Sequence, residues 1–346
     1  MRAASAAGPR ALVVAPQWIG DAVMCEPLLA TLAARGEHLT VAALPSVAAV
    51  FAAMPQVAAT VALPFAHRRL DLGARWRLAR QWRGRFDVAY VLPNSLKSAL
   101  VPWLAGVPRR IGYHGEGRRG LLTQRLDDPT GRPPMVEHYG ALAGSEWQAG
   151  SRPRLHVDAA ARDAALGAAE LTSGSFWGLA PGAEYGPAKR WPAAHYVELA
   201  RRLHAADGLP IALLGSPAEG TLCDEIAAAA GGDCRVLAGR FSLAQAIALL
   251  SAARGLVSND SGLMHIGAAL GLPQAAIFGS TSPEHTPPLN QRARVLWLQG
   301  ELERDCIPCF ARHCRYGDTR CLSELAPERA EAGLREALGI APGATS

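Results

Sequence analysis

The chain has 346 residues, 49% of them hydrophobic and 19% charged, with a formal net charge of +5. That length is long for one core and suits two domains, and the composition is that of a soluble globular protein. No stretch reads as a membrane span, because Pro45, Pro55 and Pro64 divide the apolar run 39–66. Pro9 and Arg10 interrupt any signal-peptide core, so a cytoplasmic protein is expected.

Charge is unevenly placed, at net +8 through residue 165 and −3 beyond it. A basic half implies an anionic partner; nucleic acid, a membrane surface and a phosphorylated small molecule all satisfy that condition. The first half alternates strand and helix signals. Strands are expected at 12–15, 39–44 and 57–63, with helices over 22–35 and after Pro45. A strongly basic helical segment runs from Arg68 to Arg85 with Trp76 and Trp82 interleaved. It reads either as a solvated face with its tryptophans turned inward or as a surface against an anionic membrane or glycolipid. A strand over 86–92 ends in the polar turn 93–98, where Asn94 or Ser95 would cap the next helix. A strand at 109–113 and a Gly- and Arg-rich loop at 115–120 follow.

Periodicity weakens between Gly150 and Gly174, where a linker is expected. The second half repeats the alternation, with strands at 176–180, 210–214, 255–258 and 275–278. Its helices are expected at 192–206, 218–229, 243–253 and 261–270, with a last one over 327–338. The fold class is therefore α/β, two doubly wound parallel sheets whose natural ligand site is a cleft between strand ends. Expected domains are 1–160, 161–325, and a helix and tail over 326–346.

Two strand-to-helix junctions in the second half suit a phosphorylated ligand. The first, PGAEYGPAKRW at 181–191, combines Gly182 with Lys189, one of only two lysines in the chain; Lys97 is the other. The second, NDSGLMH at 259–265, would present the N–H groups of Ser261 and Gly262 at a helix start, with Asp260 placed to accept sugar hydroxyls. Alternatively, Asp260 or Ser261 is an N-cap and His265 a core histidine. No P-loop, dinucleotide fingerprint, zinc-protease or nucleophile-elbow motif is present, which favours a nucleotide-sugar enzyme. Such an enzyme needs a base, and Asp21, where the first strand gives way to the first helix, is the candidate; a dipole-complementing first-turn acid is the plainer role.

These motifs, together with WIGD at 18–21, VLPNSLKSALVP at 91–102 and TPPL at 286–289, resemble the heptosyltransferase II signature of glycosyltransferase family 9. The resemblance spans roughly residues 11–290, and its 181–191 block is far more specific than any single motif. It implies the GT-B architecture, two Rossmann-like domains with the acceptor bound by the first and the donor by the second. It further implies inverting transfer of L-glycero-D-manno-heptose from ADP-heptose to the first heptose of the lipopolysaccharide inner core. By that resemblance Asp21 is the catalytic base and Lys189 holds the donor phosphates, with Gly182, Glu184, Asp260, Ser261, Gly262 and His265 around the donor. Asn94, Ser95, Lys97 and Arg118 would face the acceptor.

The scheme requires no cofactor or catalytic metal. The expected partners are ADP-heptose and an anionic glycolipid at the membrane's inner face, rather than nucleic acid, and the expected state is a monomer. A heptosyltransferase I or III with another acceptor, or a nucleotide-sugar epimerase of the same architecture, are the rival functions. Outside the resemblance, Cys306, Cys309, Cys314 and Cys321, with His313 nearby, supply ligands enough for a structural zinc ion or stand as free thiols.

Overall fold

The computed structural model describes residues 8–65 and 70–339. The chain divides into two compact units between Arg154 and Leu155. In the first, strands β1 (Arg10–Val14), β2 (His38–Ala43), β3 (Val57–Ala62), β4 (Val88–Val91), β5 (Arg109–Tyr113) and β6 (Gln124–Leu126) form one parallel sheet. Helices α1 (Ile19–Met24), α2 (Glu26–Ala34), α3 (Pro45–Ala52), α4 (Leu72–Trp82), α5 (Leu96–Leu104) and α6 (Met135–Gly140) accompany it. The second unit opens with α7 (Ala159–Ala169). It continues through β7 (Trp177–Ala180), α8 (Ala193–Asp207), β8 (Ile211–Leu213), α9 (Gly220–Ala230), β9 (Cys234–Val236) and α10 (Leu243–Leu250). Then come β10 (Gly255–Asn259), α11 (Gly262–Ala269), β11 (Gln274–Phe278), β12 (Ala293–Trp297), α12 (Arg320–Ser323) and α13 (Pro327–Ala337).

The strand orders are β3-β2-β1-β4-β5-β6 and β9-β8-β7-β10-β11-β12, the same order in each unit. Every pairing is parallel. Parallel strands covered on both faces need unbroken apolar runs, and β4, β7, β10 and β11 are buried along their whole length. The order reverses between β1 and β4 and between β7 and β10, so each sheet opens a crevice at the carboxyl ends of those two strands. Leu12, Leu78, Trp82, Ala89 and Val101 pack the first core. Trp177, Trp191, Tyr196, Ile211, Ile277 and Leu334 pack the second.

Several elements differ from the sequence expectation. The helix expected over 22–35 is two, broken at Cys25, with Pro27 in the first turn of α2 where its missing N–H does no harm. The weakly periodic stretch 150–174 contains α7, N-capped by Asp158, whose Oδ1 accepts from the Ala160 amide at 2.7 Å. The basic segment yields α4, capped by Asp71; Arg68 lies outside the described residues. Strands β6, β9 and β12 were not anticipated, being edge strands without buried apolar runs. Of the expected C-terminal tail, residues 340–346 lie outside the described residues.

Candidate active site

In the second unit β7 and β10 pair directly, with Ala180 opposite Ser258, so the loops leaving their carboxyl ends run side by side. Asn259 ties them together. Its Oδ1 accepts from the Trp191 amide at 3.1 Å and the Tyr196 hydroxyl at 3.2 Å, while its Nδ2 donates to the Pro181 carbonyl at 2.7 Å. This cross-linking brings Lys189, from the first loop, to Asp260, the first residue after β10. Lys189 Nζ lies 2.6 Å from Asp260 Oδ2, and the Thr281 hydroxyl donates to the same oxygen at 2.6 Å. Asp260 is 4% exposed and the lysine side chain 13%, so solvent screens the pair little. The Lys189 ammonium also stands 4.9 Å from the centre of the Tyr185 ring, whose hydroxyl is anchored on the Phe310 carbonyl.

Ser261 occupies the N-cap position of α11 in extended conformation, and its side chain makes no capping bond. The first N–H groups of α11 have no intrahelical acceptor and lie at the positive end of the helix dipole, just after β10. A lysine and a helix start together suit a diphosphate. Gly182 has a steric reason. A Cβ there would fall 1.8 Å from Glu219 Oε1, and that carboxylate is fixed by the Ser216 amide and hydroxyl. Glu184 is exposed on the same turn. His265 is 5% exposed in α11 and so presents almost no surface to a ligand. Burial pushes its pKa down to about 4; Asp260 opposes that shift and Lys189 adds to it, so the ring is neutral near pH 7.

In the first unit Asp21 stands in the first turn of α1, directly after β1. Its Oδ1 accepts from the Tyr139 hydroxyl of α6 at 3.1 Å. Burial, reinforced by Asp21, holds the Tyr139 pKa well above its ordinary value, so the phenol keeps its proton and donates. Beyond the adjacent β4, Ser95 takes the N-cap position of α5 without a side-chain capping bond. Ser95 and Lys97 line a cavity with Ala15, Gln17, Phe65 and Arg75.

Arg118 departs from its expected acceptor-facing role. It has no exposed surface, and its guanidinium bonds the Pro93 carbonyl at 2.7 Å, Asn94 Oδ1 at 3.2 Å and the Tyr113 carbonyl. Arg118 braces the loop that carries Asn94, whose amide also reaches Asp128 at 3.3 Å. Thr281 and Tyr139 escaped the sequence reading, since each meets its aspartate from a distant part of the chain. Cys306, Cys309, Cys314 and Cys321 line one small cavity as free thiols. Among the described residues no group of three or more His, Cys, Asp or Glu side chains is gathered to hold a metal ion. No helix among them is long and apolar enough to cross a membrane.

Comparison with known proteins identifies the family and the fold. The family model described as glycosyltransferase family 9 (heptosyltransferase) matches residues 75–319. Lipopolysaccharide heptosyltransferase 2 of Escherichia coli (strain K12) is 41% identical over 305 residues, covering 83% of this chain and 87% of that protein. Lipooligosaccharide heptosyltransferase 2 of Haemophilus influenzae is 34% identical over 345 residues, covering 94% and 99%. The solved structure of E. coli ADP-heptose lps heptosyltransferase II superposes with a TM-score of 0.84 at 36% identity, over 95% of this chain and 98% of that one.

Proposed function

The chain belongs to glycosyltransferase family 9, the heptosyltransferases, and from that premise we propose that it transfers L-glycero-D-manno-heptose from ADP-heptose onto the first heptose of the lipopolysaccharide inner core. The observation that carries this reading is the 41% identity with lipopolysaccharide heptosyltransferase 2 over 83% of the chain. The donor is ADP-heptose and the acceptor heptosyl-Kdo2-lipid A, met at the cytoplasmic face of the membrane.

The residues divide the work by unit. Asp21 takes the proton of the acceptor hydroxyl as its oxygen attacks the anomeric carbon, a contribution of about 10²–10⁴-fold. The bond from that carbon to the diphosphate oxygen breaks, its electron pair leaves with ADP, and the anomeric centre inverts. Lys189 and the amides at the start of α11 stabilise the charge that develops on the leaving diphosphate. Asp260 orients Lys189 through their 2.6 Å contact and holds a heptose hydroxyl with its second oxygen. Tyr139 fixes the rotamer of Asp21. Gly182 lets the donor loop pack against Glu219, Glu184 lies at its rim, and Asn94, Ser95 and Lys97 meet the acceptor.

Mass spectrometry of acceptors incubated with ADP-heptose tests the reading. A product heavier by one heptose is expected with an acceptor ending in heptose and not with one ending in Kdo. The reverse preference would reassign the step. Asp21→Ala should abolish transfer while ADP-heptose still binds; near-normal turnover in that variant would remove Asp21 as the base.

A further inference from the structure

Among the described residues eight large apolar side chains are strongly exposed, and five of them, Leu70, Leu72, Trp76, Leu96 and Trp103, fall between positions 70 and 103. They belong to α4, the residues just before it, and α5, two helices that pack on each other. Along α4 the exposed positions 72, 76 and 80 recur at helical spacing, while Arg75, Leu78, Ala79 and Trp82 are buried. Leu96 and Trp103 stand seven residues apart on α5, on one face.

Acidic residues touch this surface only at its edges, where Asp71 caps α4 and Glu116 accepts from the Leu96 amide at 3.1 Å, and from Leu72 to Arg85 its charges are of one sign. Arg77, Arg80, Arg83 and Arg85 are exposed, no acidic residue occurs between Leu72 and Phe86, and none of the four has a carboxylate partner among the described residues. Asp87, just beyond, is engaged by Arg10 through three hydrogen bonds, two from its guanidinium at 2.9 and 3.1 Å and one from its backbone amide at 2.9 Å. The Arg80 guanidinium lies over the Trp76 ring at 4.8 Å, which keeps the indole presented at the surface beside a cation. Exposed leucine and tryptophan interleaved with unpaired arginine is the composition of a helix that lies in the headgroup region of a bilayer. A nucleic-acid surface would leave Leu70, Leu72 and Leu96 without a role.

We propose that the α4–α5 surface docks this protein on an anionic phospholipid bilayer, with Leu72, Trp76 and Trp103 entering the interface and Arg77, Arg80 and Arg83 meeting lipid phosphates. The surface borders the cavity lined by Arg75, Ser95 and Lys97, so docking holds that cavity at the height of a lipid's sugar head. This last point rests on the acceptor reading above; the docking itself does not.

Sedimentation with vesicles that contain no glycolipid tests the docking apart from any transfer. The wild type should bind vesicles of phosphatidylethanolamine and phosphatidylglycerol, bind phosphatidylcholine vesicles far less, and detach as salt rises. Removing three arginines, in the combined variant Arg77→Gln, Arg80→Gln and Arg83→Gln, should weaken binding by about a hundredfold. Trp76→Ser with Trp103→Ser should weaken it further without changing the salt dependence. These exposed substitutions should leave thermal stability unchanged, and turnover of a water-soluble, deacylated acceptor should stay at the wild-type level while turnover of a vesicle-borne acceptor falls. Equal binding to neutral and anionic vesicles, or an arginine variant that binds like the wild type, would overturn the proposal. So would equal loss of turnover on the deacylated acceptor, which would make the surface part of the sugar site instead.

Discussion

Replacing Lys189 by Met removes one side of an ion pair that is nearly closed to water. With Asp260 4% exposed and the contact at 2.6 Å, the carboxylate would keep its bond from Thr281 but lose its counter-charge. Leaving one buried charge uncompensated costs about 3–5 kcal/mol, far more than breaking a surface pair. Lys189→Met and Asp260→Asn should each destabilise the second unit on that scale. The double variant should cost clearly less than their sum, with a coupling of roughly 1–3 kcal/mol. Urea denaturation followed by circular dichroism reads the cycle. Calorimetry reads the second consequence: loss of a charge-assisted hydrogen bond worth about 1.5–3 kcal/mol should weaken ADP binding by roughly 10- to 150-fold. Additive destabilisation would show that the pair contributes nothing as a pair. Unchanged ADP affinity in Lys189→Met would take the lysine out of the donor site.

Two further outcomes follow from the same geometry. Tyr139→Phe keeps the buried ring and deletes only its bond to Asp21, so kcat should fall roughly tenfold with ADP affinity unchanged; initial rates equal to the wild type would refute the positioning role. His265, with its pKa lowered from 6.5 to about 4 by burial, resists protonation when folded and accepts it when unfolded. Its contribution to stability is therefore complete above about pH 6.5 and is lost as pH falls toward 4, by about 3 kcal/mol in all. Urea melts at several pH values should show that slope in the wild type and a shallower one in His265→Phe.

Much of this molecule is legible in its sequence because its central strands are buried on both faces. The runs in β1, β4, β7, β10 and β11 need no partner to be recognised. Edge strands are different: β9 is three half-buried residues, and β12 carries Arg294 with an exposed Val295, so neither stands out from a loop. Helix α7 was hidden by its alanines, for it buries only Ala165, Leu166 and Ala169. Among the candidate site residues, strand-to-helix position draws attention to Asp21, Lys189 and Asp260, while the roles proposed for them come from the family resemblance. Their partners cannot be found that way, since Tyr139 reaches Asp21 across 118 positions. Arg118 shows the opposite error. A charged residue beside glycines reads as a ligand-binding group, and only the fold reveals that three oxygens enclose it.

The repeated strand order has a consequence for recombination. Each unit completes its own six-stranded ladder, so no backbone hydrogen bond of either sheet depends on a strand lent by the other. The residues proposed for the acceptor follow β1 and β4, and those proposed for the donor follow β7 and β10. On that proposal the choice of nucleotide sugar and the choice of acceptor fall to separate units of the chain. A chimera joined between Arg154 and Leu155 should then exchange one preference and keep the other's sheet whole, which activity assays with paired donors and acceptors would check.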